Sequence, residues 1–441
     1  VVLYPCSNSS ISWRNNSSKK METHILLKNV RVVDPGGTFN GKKIDLRIKK
    51  GIITEIGKGL ENKSALILDK KGSYISPGWM DGQAHFRDPG LELKEGLERG
   101  LHACAAGGFT DVAILPSTSP PIDNKSSVSY LLTRGAEYNT LCDPHPLGCV
   151  SEGAKGKQLA ELYDMSDAGA IGFSDDKPIE RVGLLQRALE YLAPSGDVVL
   201  SDANEGDLNP GASMHEGATS TALGLTGSPS ESETIRLQRD IEILSYTGGR
   251  LHIPVVSTQG GVKLIKQAKK RGLAITASTT PHHLTFVDED LLSFDGTFRV
   301  NPPLREKSDR KALRSALADG ILNSVVSDHR PENTESHDVE FALTPNGISG
   351  IESVFAAVNT ACPDLELSRL IDSISNATRR IYNLPEQHIE LNTSAKITWF
   401  NPKQKFSSPG ISGGVNDPWK SQELNGVVYG AINGMRVHLN D

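Results

Sequence analysis

Long apolar runs are missing from this chain of 441 residues: no stretch approaches the roughly 20 consecutive apolar residues that a membrane-crossing helix needs. Cysteine is scarce. Cys6, Cys104, Cys142, Cys149 and Cys362 are odd in number and widely spaced, and no CxxC pair occurs. That argues against a disulfide framework or a zinc ribbon and for reduced thiols in a cytoplasmic compartment. A basic excess is missing too. With 47 Lys and Arg against 53 Asp and Glu, the net charge of -6 offers neither a nucleic-acid footprint nor a polybasic membrane surface. Residues 1–20, rich in Ser and Asn, lack the apolar core of about 7–15 residues that a secretory signal carries. They read as a disordered extension or a misassigned start ahead of Met21. No internal repeat and no low-complexity linker stands out.

What is present is an ordinary globular composition, 37% hydrophobic, with 42 Gly and 24 Pro to make turns. The length suits a barrel-sized domain with a satellite. Short β-branched runs such as HILLKNVRVVD, KIDLRIKKGIITEIG and ALILDKKGSYISPG fill residues 21–76, and KITWFNP, GVVYGAING and MRVHLND fill residues 385–441. Two β-rich ends around a long middle predict one composite β domain, a small sandwich built from both termini. Between them, apolar strands (TDVAILP, AGAIGFS, DVVLSDA, RLHIPVVST, LAITAST, ILNSVVS) alternate with amphipathic helical stretches (KEGLERGLHACAAGG, KGKQLAELYDMSD, LLQRALEYLA, ESETIRLQRDIEILSYTGG, GGVKLIKQAKKRG). That alternation predicts an α/β fold, a (β/α)8 TIM barrel over residues 77–384. On a barrel the chemistry sits where strands hand over to loops at their C-terminal ends.

The first barrel strand runs out in SPGWMDGQAHFRDPG, where a period of two points Gln83, His85 and Arg87 in one direction, into the barrel mouth. This segment resembles the dihydroorotase family of metal-dependent cyclic amidohydrolases, in which His-x-His-x-Arg at this place supplies two metal ligands and an arginine for the substrate carboxylate. Here Gln83 replaces the first histidine, while His85 and Arg87 remain. The resemblance continues in chain order. LPSTSPPID carries Ser117 where the family has a substrate-contacting asparagine. GAIGFSDDKP offers Asp175, or Asp176, for the bridging acidic position. VVLSDANEGDL places Asp202 at a histidine ligand, RLHIPVVST places Val255 at another, and NPPLR retains Asn301. SDHRP carries Asp328, the family's general base. The similarity extends over essentially residues 22–441.

The family reaction opens a cyclic amide, dihydroorotate to carbamoyl-aspartate, and bound zinc would supply the hydroxide. The resemblance leaves His85, Asp175, Asp202 and Asp328 as metal ligands, a carboxylate-rich set with one imidazole. Gln83 is a weak ligand for zinc and Val255 offers nothing. Such a set predicts no metal, or one weakly bound divalent ion such as zinc, manganese or magnesium, rather than two zincs. Arg87, Ser117 and Asn301 are the candidate substrate contacts. Each also has a plainer reading: His85 as a hydrogen-bonded barrel histidine, the aspartates as loop or helix caps, and His282 and His283 as local supports. Asp202 is a candidate partner for Arg87 in an empty mouth. His102 and His337 are loop histidines that stay open as substitute ligands.

Three functions follow from the resemblance. In the first, the chain is a pseudoenzyme of pyrimidine biosynthesis and a structural or regulatory partner of aspartate transcarbamoylase. In the second, it is an active cyclic amidohydrolase with an unusual single-metal site, acting on dihydroorotate or on an allantoin- or hydantoin-like ring. In the third, it is a sensor holding a small anionic pyrimidine precursor. A homo-oligomer is expected in each case.

Overall fold

The computed structural model describes residues 24–61 and 65–440. The expected extension at residues 1–20, and Cys6, lie outside them. Strands from both ends of the chain share one eight-stranded sheet. Tyr74–Pro77 pairs antiparallel with Lys396–Lys405, setting Ile75 opposite Trp399. Outward from that seam run Asn425–Asn433 and Arg436–Leu439 on one side, and His24–Val32, Lys43–Lys49 and Ile52–Gly57 on the other. Ile25, Leu27, Val30, Leu46, Ile75, Ile397, Trp399 and Ile432 bury a core of their own on it. The branched and aromatic residues read as strand formers in the sequence are therefore also the core residues.

The barrel is closed by eight parallel staves. Trp79–Ala84, Phe109–Ile114 and Asp143–Pro146 form one continuous piece, and Val198–Leu200, Arg250–Ile253, Ile275–Thr279 and Ser324–Val325 form another. The fourth stave is only a pair of bridges: Phe173 joins Gly148 on one side and Val199 on the other. A parallel bridge from Ala84 to His329 closes the ring. The third stave was not among the strands read from the sequence. Its text is DPHP, and two prolines normally argue for a turn.

Helices pack outside the staves. Leu97–Ala106 buries Leu97, Leu101 and Cys104, and Gly100 lies so close to Phe86 that a Cβ there would come within 2.2 Å of the ring. Gln259–Lys270 starts at Thr258, whose side chain accepts from the Gly261 amide, and ends in Lys269 and Lys270, which suits the negative end of the helix dipole. Cys104, Cys142, Cys149 and Cys362 are buried free thiols. Among the described residues no helix is long and apolar enough to cross a membrane.

Barrel and β domain are joined through Asp111 on the second stave. It accepts from Lys396 and His145, each at 2.9 Å, and pairs with the buried Arg379. Burial alone would raise the Asp111 carboxyl, but His145, Arg379 and Lys396 hold it well below the usual range.

Candidate active site

The stave ends assemble a compact charged cluster centred on a residue the sequence reading passed over. Arg330 directs Nη2 to Asp176 Oδ1 at 2.7 Å and Nη1 to Asp176 Oδ2 at 3.3 Å, while its Nε reaches Asp328 Oδ1 at 3.0 Å. One planar guanidinium thus joins a carboxylate after the fourth stave to one after the eighth, the fork geometry at which arginine excels. The Gln83 amide donates to the same Asp328 oxygen at 2.6 Å. Burial would lower the Arg330 pKa, yet Asp176 and Asp328 outweigh it and push it up. Asp176 is likewise held far below its ordinary range against its own desolvation, by Arg330 and then His85.

His85 is buried and neutral. Desolvation, then Arg330, lowers its pKa to about 4. Its Nδ1 meets Ser117 Oγ at 2.9 Å, and its Nε2 lies 3.3 Å from Asp176 Oδ2 without the alignment of a hydrogen bond. Asp202 completes the cluster. Burial first, and Asp176 next, raise its pKa to about 7. It lines a narrow cleft with Gln83, Val255, Asn301, Pro302 and Arg330. Gln83 Oε1, His85 Nε2 and His282 Nε2 are buried with no hydrogen-bond partner.

Several expectations change here. Asp175 is not in the cluster: its carboxylate accepts from Ser151, at 2.9 Å from the amide and 2.5 Å from the hydroxyl, and so braces the loop after the third stave. Asp176 takes its place. It adopts a φ of 54°, which swings the second aspartate of the pair into the mouth. Arg87 does not share the direction of Gln83 and His85. The strand ends at Ala84 and Arg87 has a φ of 61°, so the period of two fails. Its Nη2 instead pairs with buried Glu332 at 3.2 Å, a carboxylate also bound by Lys94. The charge expected to grip a substrate carboxylate is therefore already spoken for, and the charge facing Asp202 comes from Arg330, not Arg87.

The remaining candidates fall into place around this. Val255 is buried on the cleft wall. Asn301 is exposed at the rim, with its Oδ1 3.5 Å from Asn204 Nδ2. His283 is used locally, between Thr280 Oγ1 at 2.8 Å and the Pro302 carbonyl at 3.0 Å. His282 is not; its pKa falls to about 3 through burial and then Arg330. His102 is exposed on the helix Leu97–Ala106 and His337 sits at the end of a short helix outside the cleft wall. Among the described residues no three His, Cys, Asp or Glu side chains group as a metal site. The donor chemistry gives a reason. A guanidinium lies between the two carboxylates, and Gln83 presents an N–H to Asp328, so the side chains do not fit a pair of metal ions. Arg330 was legible as a charged residue two positions after Asp328 in SDHRP, but nothing local says that it folds back onto that aspartate.

Comparison with known proteins agrees with the motifs. Residues 72–261 match the family model described as "Dihydro-orotase-like". The chain is 39% identical over 413 residues to a protein named dihydroorotase from Syntrophus aciditrophicus, covering 92% of this chain and 95% of that one. It is 38% identical over 427 residues to a dihydroorotase from Pelotomaculum thermopropionicum, covering 95% and 99%. Among solved structures, the L-hydantoinase (dihydropyrimidinase) of Arthrobacter aurescens superposes with a TM-score of 0.80 at 20% identity, covering 95% of this chain and 97% of that one. A D-hydantoinase superposes with a TM-score of 0.80 at 22% identity, covering 95% of each. These structures share the fold of a barrel with a β-sandwich.

Proposed function

The chain belongs to the dihydroorotase family of cyclic amidohydrolases, and from that membership we propose that it serves pyrimidine biosynthesis without turning over dihydroorotate itself, as a structural or regulatory partner of aspartate transcarbamoylase. The observation that carries this reading is the Arg330 guanidinium seated between Asp176 and Asp328. A family hydrolysis needs an activated water and a base free to take its proton. Asp328 is instead engaged by Gln83 and Arg330 at once, and Arg87 is paired with Glu332. Both the base and the carboxylate grip are thus occupied by the chain's own side chains.

A second reading keeps an active cyclic amidohydrolase with one weakly bound divalent metal. It is favoured by Gln83 Oε1, His85 Nε2 and His282 Nε2, which are buried without a hydrogen-bond partner. One coupled measurement separates the two. Interconversion of dihydroorotate and carbamoyl-aspartate is assayed with zinc or manganese added, bound metal is measured on the same sample, and the protein is then mixed with aspartate transcarbamoylase. The first reading expects no turnover and co-elution with, or altered activity of, the transcarbamoylase. Turnover with about one metal per chain would replace it with the second.

A further inference from the structure

We propose that Arg330 is the built-in cation of the barrel mouth, and that taking its charge away uncovers a site for one divalent cation held by His85, Asp176 and Asp328. This extends the reading of a disabled centre given above. Two carboxylates from opposite staves are brought onto one guanidinium, which spends three of its nitrogens on them at 2.7, 3.0 and 3.3 Å. Without a cation between them the two acids would repel each other in a buried setting, where their side chains are only 8% and 3% exposed. The third member, His85, brings Nε2 to 3.3 Å from the Asp176 oxygen that also faces Nη1, and this nitrogen is buried without a hydrogen-bond partner. Gln83 Oε1, 3% exposed by residue, is likewise unpartnered beside Asp328. These buried atoms without a hydrogen-bond partner are a second observation, independent of the acids. Donors for a cation remain in place, and the guanidinium stands where the cation would sit. One imidazole with two carboxylates suits manganese, a hard to borderline ion.

The experiment uses the full chain, wild type and Arg330→Ala, with Mn²⁺ alone as probe, followed by calorimetry, bound-metal analysis after dialysis and thermal melts. Wild type is expected to take up no Mn²⁺, and its melting temperature should not move with Mn²⁺ or EDTA. Arg330→Ala should melt roughly 5 °C lower without metal, bind about one Mn²⁺ per chain, and recover most of the loss when Mn²⁺ is present, as mass action requires. Adding His85→Ala to that variant should abolish the binding. Arg330→Met, which keeps the stem and loses the charge, stands in if the alanine variant is insoluble. Tight stoichiometric Mn²⁺ on wild type overturns the proposal whatever the variants do. So do charge-free variants that bind no Mn²⁺, or that stay unfolded in its presence. Failure of the broader reading looks different: turnover by metal-free wild type would end it, while the metal-binding results would still decide this inference.

Discussion

Asp202 is a carboxyl whose pKa is lifted to about 7 by burial and by Asp176. A carboxyl raised in the folded state binds its proton more tightly there than in the unfolded chain, where it titrates near 3.8. Its contribution is therefore fully present below about pH 4 and is lost as pH rises through about 7. His85 acts in the opposite sense. Its folded pKa of about 4 lies below its ordinary 6.5, so its contribution is present above pH 6.5 and lost as pH falls toward 4. The two slopes oppose each other over the shared acidic window, and Asp202 dominates above it. Asp202→Asn should accordingly stabilise the protein by about 2–4 kcal/mol at pH 8 and leave it nearly unchanged at pH 4. Denaturant melts at both values would check this, and equal effects at the two would contradict it. Arg87 supplies a second prediction at this scale. Because Glu332 already holds it, Arg87→Ala should not weaken any calorimetric signal with dihydroorotate, whereas loss of a clear wild-type signal in the variant would restore Arg87 as a substrate contact and favour the sensor function.

At the scale of elements, the cluster depends on how the first stave meets the helix that follows it. His85 is held between Phe86 and Ala84, and Phe86 lies against Gly100 with no room for a methyl group. Gly100→Ala must displace that ring or the helix. Overpacking of this kind costs about 1–3 kcal/mol, and the shift would be passed directly to His85. A lowered urea midpoint with unchanged slope is the expected result. The left-handed backbone at Arg87, Asp176 and Asp328, with φ of 61°, 54° and 45°, belongs to the same scale. Each lies just past a stave, where the chain must leave the barrel, and together they aim the side chains that a period-two extrapolation from the strands misdirects.

For the whole molecule, Asp111 and Asp143 are points where barrel and β domain meet electrostatically: Lys396 pairs with both, and Arg436 pairs with Asp143. Replacing Asp111 with Ala would leave Arg379, 3% exposed at the side chain, and Lys396 short of their shared counter-charge. Removing one partner of a buried pair costs about 3–5 kcal/mol, so Asp111→Ala should lower the melting temperature markedly. A loss no greater than that of an exposed pair such as Lys307–Glu289 would show that the Asp111 cluster contributes little to stability.

The alternation of apolar strands with amphipathic helices, and the ordered motifs from SPGWMDGQAHFRDPG to SDHRP, were enough to establish the barrel and the family, because period and motif order are properties of the chain itself. The resemblance also sets Gln83, Asp202 and Val255 where the family has histidines, a reading of the sequence alone. Which side chains meet around them was not legible there. The stave written DPHP, the choice of Asp176 over Asp175, the diversion of Arg87 to Glu332 and the return of Arg330 onto Asp176 and Asp328 each depend on where a side chain from one stave lies relative to another far along the chain. Only closing the ring brings those groups within 3 Å or so of each other, a distance at which charge rather than sequence spacing decides which partner each takes.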